Sequence, residues 1–306
     1  MPGGTTVDRG ASAVIVSRWV IAAACVAGVA AAAPGEDAKR LLPDGGGSSR
    51  QARADVLRQL PLERLPAAQR NAVEDCVRNS TLYRRLPALD IDCDTALLHF
   101  ALDKPEVVVD IWRALGISQL SLDPTGLGQW HLADGYGTVG VIRLLHARRD
   151  GNGGLLVFHG RGRYTGSLAP RPLTGSCVIV VRHGPVGTTA LGHRHRLVVD
   201  AFVDMDGIGL ELVTRTLQPL VVRCAAANLR EIGLFMETLS TTAIDNPAGV
   251  ERLAGRLPRT PDEDRRSLAR IARRAAAAAG AGGAGADHES AATRLAARWK
   301  PAPAQR

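Results

Sequence analysis

Between Pro219 and Leu239 the chain carries more apolar surface than an ordinary exposed helix can leave in water. On a wheel of 100° per residue, Val222, Ala225, Ala226, Leu229, Ile232, Gly233, Met236 and Leu239 share one side, flanked by Val221, Cys224 and Phe235. That arc covers about half the circumference, against the ~100° stripe of a surface helix. Only Arg223, Arg230, Glu231 and Glu237 mark a side for solvent. Pro219 stands where a first helical residue would, with its φ fixed and no N–H to satisfy. Each larger apolar side chain contributes roughly 1.5 to 3 kcal/mol when fully buried, so a helix of this kind needs cover around much of its girth.

The preceding sequence offers that cover as a sheet. Strand-like segments follow one another at Ile117 to Leu122, Leu127 to Leu132, Tyr136 to Arg148, Leu155 to Tyr164, Ser176 to His183, Arg196 to Asp204 and Ile208 to Leu217. The separators Asp123-Pro124-Thr125-Gly126, Asp150-Gly151-Asn152-Gly153-Gly154 and Asp206-Gly207 are turn chemistry, and their short spacing favours antiparallel hairpins over helical crossovers. The expected fold is therefore α+β, an antiparallel meander of about six or seven strands wrapped around a long C-terminal helix, with further helices before it. Tyr136 to Arg148 is apolar on both sides, Val139, Val141 and Leu145 opposing Gly140, Ile142, Leu144 and His146, which implies at least partial cover on both faces of the sheet.

Upstream, residues 50–116 read as helical. Arg50 to about Leu86 is broken at Pro61 and Pro66, Asp94 caps a brief helix through Leu102, and Pro105-Glu106 open another that Gly116 stops. Downstream, Asn246-Pro247 start a short helix that ends before Pro258, which closes a unit at residues 117–257. Residues 258–306 are basic and rich in Ala and Gly, and read as a frayed helix followed by a disordered end.

The N-terminus has the pattern of an export signal. Arg9 and Arg18 precede Trp19 to Ala33, a run without charge that ends in small residues suited to cleavage after Ala32. The run falls short of the ~20 residues of a comfortable membrane span. A signal over residues 1–32 and a flexible leader over 33–49 place the mature chain outside the cytoplasm, in the periplasm or envelope of a bacterium. Only three of the 38 basic residues are lysine, a coding bias that weakens any inference from arginine counts to phosphate. The formal net charge of +8 still favours acidic partners, such as an anionic envelope polymer or membrane surface, and no feature calls for nucleic acid.

An exported chain can oxidise its cysteines. Four remain beyond the signal, and by position Cys76 would pair with Cys93 and Cys177 with Cys224, the alternative being four buried thiols that act as small hydrophobes. No C-x-x-C is present, which removes the usual signature of zinc ribbons and thioredoxin-like chemistry.

Motifs that carry catalysis are missing: the sequence has no G-x-S-x-G, H-E-x-x-H, Walker loop or Rossmann fingerprint after a strand. No cofactor is implied. His193-Arg194-His195 beside a strand would aim two imidazoles the same way, a weak candidate metal pair with no third ligand indicated by spacing. Asp90, Asp92 and Asp94 imitate a calcium loop, but Thr95 replaces its glycine and Ala101 its closing glutamate, so capping by Asp94 and solvated acids explain the run better. Gly160-Arg161-Gly162 inside a strand reads as a bend or a close approach of another backbone.

The order of helix, about six antiparallel strands and a long C-terminal helix resembles the helix-grip, START-like superfamily over Pro105 to Gly255. Lys104-Pro105-Glu106-Val107-Val108-Val109-Asp110-Ile111-Trp112 and Asn246-Pro247-Ala248-Gly249 also resemble exported bacterial proteins without an assigned activity. Helix-grip members commonly hold an apolar ligand between helix and sheet. The resemblance thus implies a lipid or other apolar small molecule held there, and supplies no site residues. The residues themselves suggest a non-enzymatic binding protein with a cavity lined by Val222, Leu229, Ile232, Phe235 and Met236, with His159 and His183 at the mouth. The alternative expectation is an envelope scaffold that binds anionic partners through its basic tail.

Overall fold

A computed structural model describes residues 47–151, 153–166, 172–189, 191–206, 210–280 and 295, without the side chains of 207–221. The signal and nearly all of the leader lie outside the described residues. So do 281–294 and 296–306 of the basic tail.

The chain is α+β. Helices α1 (Arg50–Gln59) and α2 (Ala67–Asn79) flank a short 3-10 turn at Leu62–Arg64, and two short strands follow, β1 (Leu82–Arg85) and β2 (Leu89–Cys93). Helices α3 (Thr95–Asp103) and α4 (Pro105–Ala114) come next. Six strands then run β3 (Ser121–Gly126), β4 (Gln129–Ala133), β5 (Thr138–Asp150), β6 (Gly153–Tyr164), β7 (Leu173–Thr189) and β8 (Gly192–Asp206). Helices α5 (Leu210–Asp245), α6 (Pro247–Gly255) and α7 (Asp262–Ala278) complete the described part.

All pairings are antiparallel, in the order β1-β8-β7-β6-β5-β4-β3, with β2 beside β1 on the same edge of β8. The first strands of the chain thus close onto the last. Helices cover both faces. On one, Val56 of α1 and Val73 and Cys76 of α2 pack with Leu155, Val157, Val178, Val180 and Phe202. On the other, Cys224 and Ala225 of α5 meet Cys177, Ile179, Val199 and Val203. Farther along α5, Phe235, Met236 and Leu239 join α3, α4, α6 and α7 in the largest core.

Local chemistry explains the element ends. Asp94 accepts from Leu97 N–H and caps α3, and Asn246 accepts from Gly249 N–H and caps α6, whose first residue is Pro247. Gly116 ends α4 at φ 70°, which suits a residue without Cβ. In β6 a Cβ on Gly162 would sit 2.8 Å from the Val139 carbonyl oxygen, so the two strands approach too closely for a side chain. Strand β5 carries a bulge between Leu144 and His146. Both sides of this segment are apolar because helices cover both faces of the sheet.

Three expectations need correction. The segment Ile208 to Leu217 is no strand: from Leu210 it is helical, so α5 begins nine residues before Pro219 and that proline lies inside it. A single interior proline removes one backbone donor, and the long apolar helix continues through it to Asp245. The stretch read as the end of a helix through Leu86 is strand β1 from Leu82, and β2 follows where solvated acids were expected, both drawn into register by β8. The third correction concerns residues 258–306, where Asp262–Ala278 is a helix with Leu268, Ala269, Ala272, Ala275 and Ala276 buried. It is held by Lys104 on Asp264 at 3.1 Å, and by Asp110, which accepts from Arg259 N–H and Thr260 Oγ1. Small alanines permit that close packing, which is why the segment lacks the large apolar residues by which cores are usually recognised.

Leu268→Ala is expected to lower the unfolding free energy by about 2 to 5 kcal/mol, whereas Arg266→Ala on the exposed side of α7 changes it by less than about 0.5 kcal/mol. Urea denaturation of the two variants checks this, and equal midpoints would mean that α7 is not part of the core.

Candidate functional site

Two places in the sheet gather groups that could do more than hold the fold. The first is a concavity lined by Leu132, Gly140, Ile142, Gly160, Gly162, Gly175, Cys177 and Val203, among others. Register puts them in two adjoining rows. Gly140, Gly162 and Gly175 stand opposite one another across β5, β6 and β7, and Ile142, Gly160, Cys177 and Val203 do the same across β5 to β8. The floor is glycine and the rim mostly apolar, with Thr138, Ser176, Arg161 and Arg163 also along it. Cys177 and Val203 also touch Cys224 and Ala225 in one core, so the concavity opens on the α5 side. Its empty space is about 420 Å3 with the open mouth included, and about 30 Å3 once atomic radii are allowed for. The smaller figure decides what fits, the space of about two water molecules. That takes the tip of an apolar group rather than a whole drug-sized ligand, which needs ~300 Å3 or more.

The residues expected to line a cavity are distributed differently. Phe235 and Met236 are buried in the largest core, and the Phe235 ring meets Trp112 edge-on at 5.7 Å. Leu229 packs at the margin of the Cys177 cluster, Ile232 packs against the main core, and Val222 is half-buried. None of these five lines the concavity. The face of α5 that the sequence marks as apolar is consumed by packing. His159 and His183 also part company. His159 lies opposite Arg143 in β5, on the sheet face away from α5, where burial first and the Arg143 and Arg161 charges next push its pKa down. His183 lies on the α5 face at the far end of β7.

That end of the sheet is the second place. His183 of β7 and His99 of α3 meet at a centroid distance of 5.4 Å, and His193 and His195 of β8 at 6.0 Å. His195 is fully buried and its Nε2 lies 3.1 Å from Thr95 Oγ1. Thr95 and His99 are four residues apart and share one face of α3. A Cβ on Gly154 would come within 2.8 Å of His183 Nε2, so the ring occupies the space a side chain there would need. Burial, with the neighbouring His99, His195 and Arg149, lowers the His183 pKa to about 4, against a small opposing effect of Asp103. His195 is lowered by burial, then by His193 and His99. The histidine pair of the sequence is thus part of a wider cluster, but among the described residues no three His, Cys, Asp or Glu side chains are arranged to hold a metal ion.

Arg194, between the two histidines, points to the other face. It forms a two-pronged pair with Asp92 at 2.7 and 3.0 Å, and Arg196 does so with Asp90 at 2.6 Å twice, across directly opposed positions of β2 and β8. The guanidinium groups hold both carboxyls below their usual range. Asp90 and Asp92 are therefore cross-strand partners rather than solvated acids or calcium ligands. A further buried charge has no motif in the sequence. Asp200, fully buried on the α1 side, accepts from Tyr83 Oη at 2.7 Å and Arg85 Nε at 2.9 Å and pairs with Arg182. Burial and the adjacent Asp200 drive the Tyr83 hydroxyl above its ordinary value. Arg85 also reaches the Ala52 carbonyl and Arg182 the Gln59 side chain, so this network fastens α1 to the sheet. Its signal was a charged residue inside an apolar alternation, Val198 to Val203.

Cys76, Cys93, Cys177 and Cys224 are all buried thiols rather than disulfides. Cys76 and Cys93 belong to different cores, which rules out the first expected pair. Cys177 and Cys224 do share a core, but as thiols. Burial pushes Cys93 up to about 12 and raises Cys76, so neither is a nucleophile near neutral pH.

No protein-family model and no curated protein matches the chain. Among solved structures, one similar chain is described as a conserved protein from Geobacillus kaustophilus, with 11% identity and a TM-score of 0.30, covering 48% of this chain and 92% of that one. A likeness of that size carries no functional argument.

Alkylation of the unfolded protein without reductant, followed by peptide mass mapping, is expected to modify Cys76, Cys93, Cys177 and Cys224 completely. A cross-linked Cys177–Cys224 peptide would overturn the thiol assignment.

Proposed function

We propose that this chain is an exported, non-enzymatic binding protein that takes the tip of an apolar small molecule or lipid into the glycine-floored concavity beside α5. The observation that carries the reading is the row of Gly140, Gly162 and Gly175 next to Ile142, Cys177 and Val203 on the helix side of the sheet. Backbone without side chains lets a ligand approach the sheet, and the mostly apolar lining suits a hydrocarbon tip, with the hydroxyl of Thr138 as a nearby polar group. The element order behind the helix-grip resemblance, two helices, six meander strands and a long helix, also supports it. Relative to the sequence expectation, the ligand seat moves from Phe235 and Met236 to the strands. Mass spectrometry of lipid extracts from purified protein is expected to find a bound apolar molecule, and Cys177→Phe, which fills the concavity, to lose it. Protein that is consistently empty, or a variant that keeps its ligand, would sink the reading.

A second reading, a scaffold for anionic envelope partners, is supported by α7. Its outer side exposes Arg266, Arg270, Arg273 and Arg274, of which Arg273 is paired with Glu251. Vesicles rich in anionic lipid are expected to bind the protein at low salt and release it at about 0.5 M salt, as a screened surface interaction must. Arg266→Glu, Arg270→Glu and Arg274→Glu together should abolish binding, and unchanged binding would remove α7 from this role.

A further inference from the structure

The histidine cluster lies apart from the concavity, and neither functional reading uses it. We infer that His183 and His195, buried with His99 between α3 and the sheet, form an acid-sensitive latch, whose protonation lifts α3 from the strands while the β-ladder stays formed.

The argument starts from donors and acceptors. An imidazolium has two N–H donors and needs an acceptor for each. His195 has one partner, Thr95 Oγ1 on its Nε2, while its buried Nδ1 has none. The Nδ1 of His183 is also buried with no hydrogen-bond partner, and that residue is 7% exposed. A second proton on either ring would leave a buried N–H without a protein acceptor, a costly arrangement. Charge adds to this. A His183 imidazolium would face His99 on α3, His195 on β8 and Arg149 on β5, and a His195 imidazolium would face His193 and His99. The nearby acids stand at the two ends of α3 and are engaged. Asp94 caps the helix by accepting from Leu97 N–H, and Asp103 pairs with Arg149. The thiol of Cys93 in β2 is held neutral by burial.

The sign follows from these lowered values. Unfolded or detached histidines take up protons near pH 6.5, whereas docked His183 does so only near pH 4. Between those limits the detached state binds more protons, so docking is strongest above about pH 7 and weakens as pH falls. The element released is α3, because Thr95 and His99 lie on its sheet-facing side. Its departure uncovers Leu97 and Leu98, which are 1% and 2% exposed when it is docked.

Hydrogen exchange of the full chain, expressed as protection factors so that intrinsic rates cancel, tests the latch. Protection of amides 98–103 is expected to fall more than about tenfold between pH 7 and pH 5, up to tenfold per pH unit for each proton taken up, while amides of β6 and β7 keep theirs. In His183→Phe the fall should be at least about threefold smaller than in the natural chain, the remainder being the share of His195, and a fall of unchanged size would overturn the role of His183. Protection of α3 that does not change with pH in the natural chain, or that falls together with β6 and β7, would overturn the proposal. Should His183→Phe fail to fold, NMR titration of the natural protein decides: the His183 ring is expected to titrate only as α3 loses protection, and titration near pH 6.5 with α3 still docked would overturn the latch.

Discussion

Strand β8 is the member on which the fold depends, because its second edge receives both strands of the N-terminal part of the chain. One edge carries β7 over most of its length, and the other carries β2 near its start and β1 toward its end. Without that double pairing the N-terminal strands would be loose and β8 would present an open row of backbone donors and acceptors, an invitation to aggregation. Two features fix the register. On the solvent side Asp90 and Asp92 meet Arg196 and Arg194, each pair exposed enough to contribute modestly to stability but placed so that a slip of one residue would break both. On the inner side Ile91, Cys93 and Leu197 are buried in the main core.

From this closure the placement of the helices follows. Chain reversal after β2 delivers α3 and α4 to the same side as α5, and the N–H groups of Asp92 and Asp94 are taken up by Glu237 and Ser240 of that helix. The exposed edge of β2 is therefore covered by side chains of α5 rather than left to solvent. Opposite it, the buried carboxylate of Asp200 secures α1 through two arginines and a tyrosine. A charge so enclosed is tolerable only with its partners in place, so the network specifies where α1 must sit as much as it stabilises it.

Much of this was legible in the sequence where one physical rule acts alone. Six of the meander strands, the caps at Asp94 and Asn246, the proline starts at Pro105 and Pro247, and the stop at Gly116 all depend on neighbours within a few residues. What was not legible depended on distant partners. Leu89-Asp90-Ile91-Asp92-Cys93 alternates as a strand should, yet its acids are meaningful only beside Arg194 and Arg196, about a hundred residues on. Residues 210–217 carry β-branched and helix-forming residues together, so local propensity alone does not separate strand from helix there. The glycine-floored concavity on the helix side of the sheet was not read from the sequence. The arc of α5 that looked like a cavity wall is core, and the wall is glycine, which leaves no hydrophobic trace in a sequence. His99 could have been found from its i, i+4 spacing with Thr95, but its partners could not.

The bulge in β5 has a consequence for how the chain can change over time. Above it Gly140, Ile142 and Leu144 serve the α5 side. Below it Leu145 packs toward the α1 core and His146 stands opposite Val157 of that same core. The extra residue thus inverts the odd-even rule within one strand. Loss of a single residue there would turn Arg148 and Asp150 inside out relative to their present faces, so this chain tolerates insertions and deletions at its hairpin tips and not in the middle of its longest strands.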